Sequence, residues 1–228
     1  MPALFKKQRV ITLPTLWGWF VILLILILTF GYIFKHLALF LAKSQPVQGQ
    51  YLIVEGWLDE QSLLKAKTLF EQGSYKLLIT SGGPEAGRLK PDYPSYADKA
   101  SAFLIKQGFE PNKLHIASAP ASAQNRTYLS AVKVRQWFEK AALQPTSFDI
   151  LSASVHARRT QQLYQMAFSE STQVGIIALA PDRYSLKHWW RSSDGIKSVL
   201  AEVVGLGYTF CCFDPGEVGS HQELWGVY

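Results

Sequence analysis

A run of 19 residues without a charged side chain, 16–34, constrains this chain more than any other feature of its sequence. At 1.5 Å per residue, a helix of this length measures about 28 Å, close to the roughly 30 Å hydrocarbon core of a bilayer. Aromatic rings, which favour the membrane–water interface, lie near both ends at Trp17, Trp19 and Tyr32. The sequence therefore predicts a retained transmembrane anchor over residues 16–42. A buried core helix and a cleaved signal peptide are the alternatives.

The distribution of charge separates this anchor from the rest of the chain. Five of the 23 basic residues and none of the 17 acidic residues lie in 1–43, which leaves a net charge of +1 on residues 44–228. A nearly neutral domain is not expected to bind nucleic acid, because phosphate backbones select strongly basic surfaces. The partners predicted are a lipid bilayer and a small anionic molecule, with no nucleic acid.

The charges that flank the span predict its orientation. Lys6, Lys7 and Arg9 precede the span, whereas Lys35 and Lys43 follow it. The positive-inside rule then puts the N-terminus in the cytoplasm. We predict a single-pass protein of the bacterial inner (cytoplasmic) membrane, with its domain in the periplasm or outside the cell. The opposite orientation is the alternative.

Beyond the anchor, short apolar segments alternate with amphipathic helical segments. A cytoplasmic N-terminus (1–15) and the anchor are followed by a linker (43–50), five strand–helix units (51–208) and a C-terminal tail (209–228). Continuous apolar strands joined by helices are typical of a parallel sheet that is covered on both faces. We predict an α/β fold with a Rossmann-like, doubly wound, mainly parallel sheet of about five strands. The proline-rich segment 84–94 is predicted to be a loop and a candidate lid.

The two cysteines, Cys211 and Cys212, are adjacent in an apolar segment. Two cysteines exclude a disulfide scaffold and a cysteine-rich zinc module. A disulfide between neighbours strains the peptide that joins them. We therefore interpret the pair as two small buried residues rather than as a redox site.

Polar and small residues gather where the first two predicted strands end. Open parallel sheets bind ligands at this edge. Glu55 and Gly56 end the first strand, and Ser81, Gly82 and Gly83 end the second. The glycines would let backbone amides approach an anion, although a plain tight turn uses the same residues. Glu55 is a candidate general base, with an arginine ion pair as the alternative.

The long helix predicted after the third strand begins with Asn125, Arg126 and Thr127. Asparagine is a favoured N-cap. A cation on the first turn meets the positive end of the helix dipole, which indicates an anionic partner as readily as a solvated surface arginine.

The next predicted helix begins with His156, Arg158 and Arg159. Two arginines beside the amides of a helix N-terminus would bind phosphate or carboxylate. His156 is a candidate general acid or base. The other histidines are scattered without metal-ligand spacing, so no metal site is predicted. The absence of GxGxxG and GxxxxGK[ST] leaves the cofactor unknown.

The order of these motifs resembles the SanA/YdcF/ElyC-like family of bacterial envelope proteins. The resemblance covers about residues 50–205 and rests on YLIVEGWL, LLITSGG, SYADKASAFLIKQGFEPNKLHI, AQNRT and ILSASVHARRTQQLY. It implies a Rossmann-like domain, often behind one N-terminal span, with a pocket at the strand ends. It also implies a link to envelope integrity and to peptidoglycan or lipid-carrier metabolism. One soluble relative is associated with S-adenosylmethionine binding.

These observations favour an envelope protein that binds an anionic, phosphate-bearing substrate, such as a lipid-linked cell-wall intermediate, and that hydrolyses or transfers it. The candidate catalytic residues are Glu55 and His156. The candidate ligand-binding residues are Gly56, Ser81, Gly82, Gly83, Asn125, Arg126, Thr127, Arg158 and Arg159. A non-catalytic binding or regulatory module, and a binder of a nucleotide-type or S-adenosylmethionine-type cofactor, are the alternatives.

Overall fold

A computed structural model of the chain describes residues 13–84, 92–122, 124–220 and 222–224. The chain divides into two units, Met1–Leu37 and Ala38–Tyr228. Most of the predicted loop 84–94 lies outside the described residues, as does the end of the tail.

The first unit contains most of one long helix, α1 (Leu16–Leu41). The helix follows Pro14, and the hydroxyl of Thr15 accepts a hydrogen bond from the amide of Gly18 at 3.2 Å. The most apolar window of α1 has no buried residue, and the helix is long and apolar enough to cross a membrane. This helix coincides with the predicted anchor and ends within one residue of its predicted boundary.

Five strands form one parallel sheet, which confirms the predicted fold class. They are β1 (Tyr51–Glu55), β2 (Leu77–Gly82), β3 (Leu114–Ser118), β4 (Ser147–Ala153) and β5 (Gln173–Leu179), in the spatial order β3-β2-β1-β4-β5. The central strand β1 is buried along its whole length. A strand covered on both faces has no solvent side for polar residues, which explains why its first four residues are apolar and why its one charged residue, Glu55, is buried at the end.

Five further helices follow, of which the first four cover the two faces of this sheet and the fifth packs against the fourth. They are α2 (Glu60–Gln72), α3 (Tyr96–Lys106), α4 (Arg126–Lys140), α5 (Ala157–Ala167) and α6 (Ser193–Cys211). One apolar core includes Leu63 of α2 and Leu104 of α3, whereas the other includes Phe138 of α4 and Tyr164 of α5. The hydroxyl of Ser95 accepts a hydrogen bond from the amide three residues on, and therefore caps α3 as its sequence indicates.

The strand order creates a crevice between β1 and β4. From β1 the chain moves through β2 to β3 at one edge, and it then crosses back to β4 on the other side of β1. The connections that leave β1 and β4 thus diverge to opposite sides, which opens the sheet edge between them. Glu55 ends β1, and His156 follows β4 by three residues. The topology therefore brings these two side chains to one place.

The linker predicted at 43–50 is hydrogen-bonded to the sheet. Gln45 and Ile176 exchange backbone hydrogen bonds of 2.7 and 3.1 Å. The buried carboxylate of Asp149 accepts hydrogen bonds from the amides of Val47 at 2.7 Å and Gly49 at 3.2 Å. It also accepts one from the hydroxyl of Tyr75 at 3.0 Å. This segment connects α1 to the domain, but it is docked rather than loose.

The C-terminal tail is also docked. The ring of Phe213 packs edge-on against Tyr128 of α4, with ring centres 5.0 Å apart. The buried carboxylate of Glu223 forms an ion pair with the guanidinium of Arg135 at 2.6 Å. The tail thus closes one side of the apolar core that contains α4.

Our interpretation of the cysteines was wrong. Cys211 and Cys212 are joined to each other by a disulfide, and both are exposed. Cys211 is the last residue of α6, and Cys212 is its C-cap. They are therefore not the buried residues that we predicted.

Candidate functional site

A cavity of about 590 Å³ lies at the carboxyl ends of β1 and β2, beside the first turns of α4 and α5. Nine of the eleven residues that the sequence analysis singled out line this cavity. They are Glu55, Ser81, Gly82, Gly83, Asn125, Arg126, Thr127, His156 and Arg159. These residues come from four separate stretches of sequence, which the parallel sheet brings to one edge.

The other two predicted site residues, Gly56 and Arg158, do not line the cavity. A Cβ at Gly56 would lie 2.5 Å from the carbonyl oxygen of Tyr96, so glycine is needed there for the close approach of α3. The Nε of Arg158 donates a hydrogen bond to the carbonyl of Phe40 at 2.6 Å. Its guanidinium also lies 3.7 Å from the centre of the Phe40 ring. Because consecutive helical residues point about 100° apart, Arg159 faces the cavity when Arg158 does not.

The two glycines at the end of β2, Gly82 and Gly83, are each required by the backbone around them. Gly82 has a φ of 135°, a conformation that side chains disfavour. A Cβ at Gly83 would lie 2.7 Å from the carbonyl oxygen of Pro120. The Ser81 hydroxyl is buried 3.1 Å from that of Tyr164. The tight turn therefore shapes the cavity wall whether or not a ligand binds there.

The first turn of α4 borders the cavity without a side-chain cap. Asn125 occupies the predicted N-cap position, but its φ of 52° is left-handed and its side chain makes no capping hydrogen bond. Asn125 is therefore the N-cap, as predicted, but without the side-chain hydrogen bond that makes asparagine a favoured N-cap. An uncapped first turn keeps the positive end of the helix dipole directed at whatever lies in front of it. Arg126 and Thr127 also line the cavity here.

His156 lies between two carboxylates. Its Nδ1 is 2.9 Å from Glu202 and its Nε2 is 3.5 Å from Glu55. Burial alone would lower the pKa of His156, but the two carboxylates outweigh it and raise the pKa to about 9. The imidazole is therefore charged at neutral pH. A proton held this firmly favours a role as an acid or an electrostatic group over that of a base.

Glu55 makes the contacts of a positioned ion-pair partner. Its two carboxylate oxygens accept hydrogen bonds from the hydroxyls of Ser152 at 2.6 Å and Thr160 at 3.2 Å. It is 4% exposed, and it faces the imidazolium of His156. The ion-pair partner that the structure gives Glu55 is thus His156, whereas the sequence suggested an arginine, and Glu55 keeps a place in the cavity wall that a base would need.

Glu202 is a central residue of the site that the sequence analysis missed. It reaches the cavity from α6 and binds Arg159 through both of its oxygens, at 2.8 and 3.0 Å. Burial would raise the pKa of Glu202, but hydrogen bonds from His156 and Arg159 lower it to about 2. The signal in the sequence was one acidic residue inside the apolar run 198–213.

Among the described residues, the charged side chains that line the cavity sum to a small positive excess. Arg126, Arg159 and protonated His156 oppose Glu55 and Glu202. The excess of one positive charge is reinforced by the first turn of α4. This balance suits a small anion better than a cation. Among the described residues there is no group of three or more His, Cys, Asp or Glu side chains that could hold a metal ion.

A second cavity, of about 870 Å³, lies beside the first at the ends of β4 and β5. The two share Trp57, His156 and Glu202 as a common wall. Ser154 lines the second cavity and has a φ of 39°, a strained value for a residue other than glycine. Strain of this kind clusters at functional sites. The exposed ring of Trp57 lies edge-on to the imidazole of His156, with ring centres 5.4 Å apart.

Comparisons with known proteins add no relative. No protein-family model matches the chain, and no curated protein matches it.

Proposed function

We propose that this chain is a bacterial envelope protein, anchored by α1, whose α/β domain binds an anionic, phosphate-bearing substrate such as a lipid-linked cell-wall intermediate. The observation that carries the proposal is one cavity bordered by Arg126, His156, Arg159 and the uncapped first turn of α4. Phosphate oxygens accept hydrogen bonds from guanidinium groups and from amides at helix N-termini. The anchor would keep the domain at a membrane where such carriers occur.

A binding experiment with a matched pair of arginine variants tests this proposal. The full chain in detergent is titrated with pyrophosphate and with a short-chain polyprenyl phosphate. Arg126→Gln should weaken binding about tenfold, which corresponds to the loss of one charge-assisted hydrogen bond. Arg158→Gln is the control, because Arg158 is close in sequence to the site but contacts Phe40 instead. Equal affinities for the two variants and the unaltered chain would refute the proposed phosphate site.

In the catalytic version of this function, a phosphorus–oxygen bond of the substrate is cleaved. The imidazolium of His156 would give its proton to the leaving oxygen, and Glu55 would take a proton from the attacking water or sugar hydroxyl. Release of inorganic phosphate by the full chain measures attack by water, and formation of a sugar phosphate measures attack by a sugar hydroxyl. Glu55→Gln should abolish turnover and leave binding nearly intact. A loss of binding and of folding instead would assign Glu55 to a structural ion pair.

A non-catalytic binding or regulatory module is the second candidate. The contacts of Glu55 favour it, because both oxygens of this carboxylate are engaged by neighbouring hydroxyls. This candidate predicts saturable binding of the phosphate compounds and no released phosphate. Binding of S-adenosylmethionine in place of the phosphate compounds would support a cofactor-binding domain.

The orientation of the anchor is a further part of the proposal. We propose that the N-terminus is cytoplasmic and that the domain lies in the periplasm or outside the cell. A reporter fused after Tyr228 should be active only if it is one that functions outside the cytoplasm. Activity of a cytoplasm-dependent reporter would reverse the orientation.

A further inference from the structure

The outer face of α6 is apolar and open to solvent. Ile196, Leu200, Val204 and Tyr208 recur every fourth residue and are all exposed, and Val204 has 73% of its surface accessible. The one charged residue from 198 to 212 is Glu202, which points inward to His156 and Arg159. A helix that faces water normally carries charged residues on its outer side. A continuous apolar face of this kind marks a surface that contacts something other than water.

Exposed basic residues border this face where α6 begins. Lys187 and Arg191 lie in the short 3-10 helix Leu186–Arg191 that leads into α6, and Lys197 lies on its first turns. The one acidic residue there, Asp194, is 3.9 Å from Arg183, so the excess charge is positive. An apolar helical face bordered by lysine and arginine is typical of helices that lie in a membrane interface. There the apolar side chains enter the acyl boundary and the cations meet anionic headgroups.

Contacts within the domain connect the inner side of α6, opposite this face, to the end of α1. Leu39 and Phe40, in the last turn of α1, belong to the same unit as the sheet and are exposed. Arg158 holds the carbonyl and ring of Phe40. The next residue, Arg159, holds Glu202 of α6. Two consecutive arginines of α5 thus join the end of the candidate membrane helix to α6.

We propose that the outer face of α6 is a lipid-binding surface, which lies on the bilayer that anchors α1. The bilayer is favoured over a protein partner for two reasons. Cations lie beside the apolar residues, and α5 contacts both α6 and the end of α1. The inference rests on the anchoring part of the proposed function and not on phosphate binding. The inner side of α6 lines the cavity through Glu202. One helix diameter, about 10 Å, would therefore separate lipid from the site.

Lipid photocrosslinking of the full chain tests this surface. The chain is reconstituted in vesicles of phosphatidylglycerol with an excess of phosphatidylethanolamine, which contain a trace of phospholipid with a diazirine on its acyl chain. Adducts are located by mass spectrometry of peptides. We expect adducts in α1 and at Leu200, Val204 and Tyr208. Leu64 of α2 is the internal control, because it is exposed and apolar but distant in sequence from both elements, and it should carry no adduct.

A pair of charge variants sharpens the test. Val204→Glu should reduce labelling of α6 by about tenfold, since a carboxylate is costly to bring into acyl chains, and it should leave labelling of α1 unchanged. Leu64→Glu is the matched control and should change neither. Adducts in α1 with none in α6 would overturn the lipid surface and keep the anchor. Absence of adducts in both helices would overturn the anchor as well. Adducts between two chains at α6 in place of lipid adducts would assign the face to a second copy.

Discussion

The charged state of His156 predicts how the stability of the domain depends on pH. Its pKa is raised from an ordinary 6.5 to about 9 because, although burial opposes its charge, Glu55 and Glu202 flank it. The folded state then binds a proton that the unfolded state releases between these two pH values. The stabilisation is complete below pH 6.5 and is lost as pH rises through 9. The free energy of unfolding should therefore decrease as pH rises from 6.5 to 9.

The size of the effect follows from the difference between the two pKa values. At about 1.4 kcal/mol per pH unit, this difference corresponds to about 3 kcal/mol of unfolding free energy. The side chains of His156 and Glu202 are 13% and 14% exposed, so solvent screens the interaction little. A change of about 3 kcal/mol is a large part of the 5–15 kcal/mol that is roughly typical of a folded domain.

Urea unfolding of the full chain in mild detergent, followed by tryptophan fluorescence, measures this change. The free energy of unfolding is compared between pH 6.5 and pH 9 for the unaltered chain, for His156→Gln and for His115→Gln. His115 packs against Trp137, remote from the cavity, and is the matched control. We expect the pH dependence to persist in His115→Gln and to disappear in His156→Gln. An unaltered chain whose stability is constant across this interval would refute the charged imidazole.

Four other changes test the site and its supports. At acidic pH the relevant group is Glu202, whose pKa is lowered to about 2. The stabilisation that it gives the domain is complete above pH 4.5 and is lost as pH falls through 2. Glu202→Gln should therefore flatten an acid unfolding curve, and it should also lower the pKa of His156 as measured by NMR. Gly83→Ala should destabilise the domain by about 1–3 kcal/mol in urea unfolding, because its methyl would overlap the carbonyl of Pro120. Gly207→Ala should stabilise α6 by up to about 1 kcal/mol in the same assay, since nothing lies within 4 Å of the added methyl. Asp149→Ala should cost about 1–3 kcal/mol and increase the protease sensitivity of residues 43–50, because it removes the acceptor for the amides of Val47 and Gly49.

The fold and the position of the cavity were predictable because both depend on short-range patterns. Apolar runs that alternate with amphipathic helices specify a parallel sheet, and strand ends in such a sheet meet at one edge. Glu55, Ser81 and His156 could therefore be assigned to one cavity without knowledge of their contacts.

The orientation of individual side chains was not predictable in the same way. Arg158 and Arg159 differ in which way they point, and that depends on the rotational phase of α5. Glu202 is distant in sequence from the residues that it binds, and no local pattern connects them. The disulfide between Cys211 and Cys212 forms where the backbone leaves the helix at Cys212. The amino-acid composition does not determine the backbone conformation at that residue.

The clamp formed by Asp149 shortens the segment that follows α1. The nine residues from 42 to 50 would span about 30 Å if they were extended and free. Pinned to the sheet at Gln45, Val47 and Gly49, they give the domain almost none of that reach. If α1 anchors the domain as we propose, the domain would meet its ligands by lateral diffusion in two dimensions. The domain would encounter molecules attached to the same bilayer often. Dissolved molecules would have to diffuse to the membrane before they reached the domain.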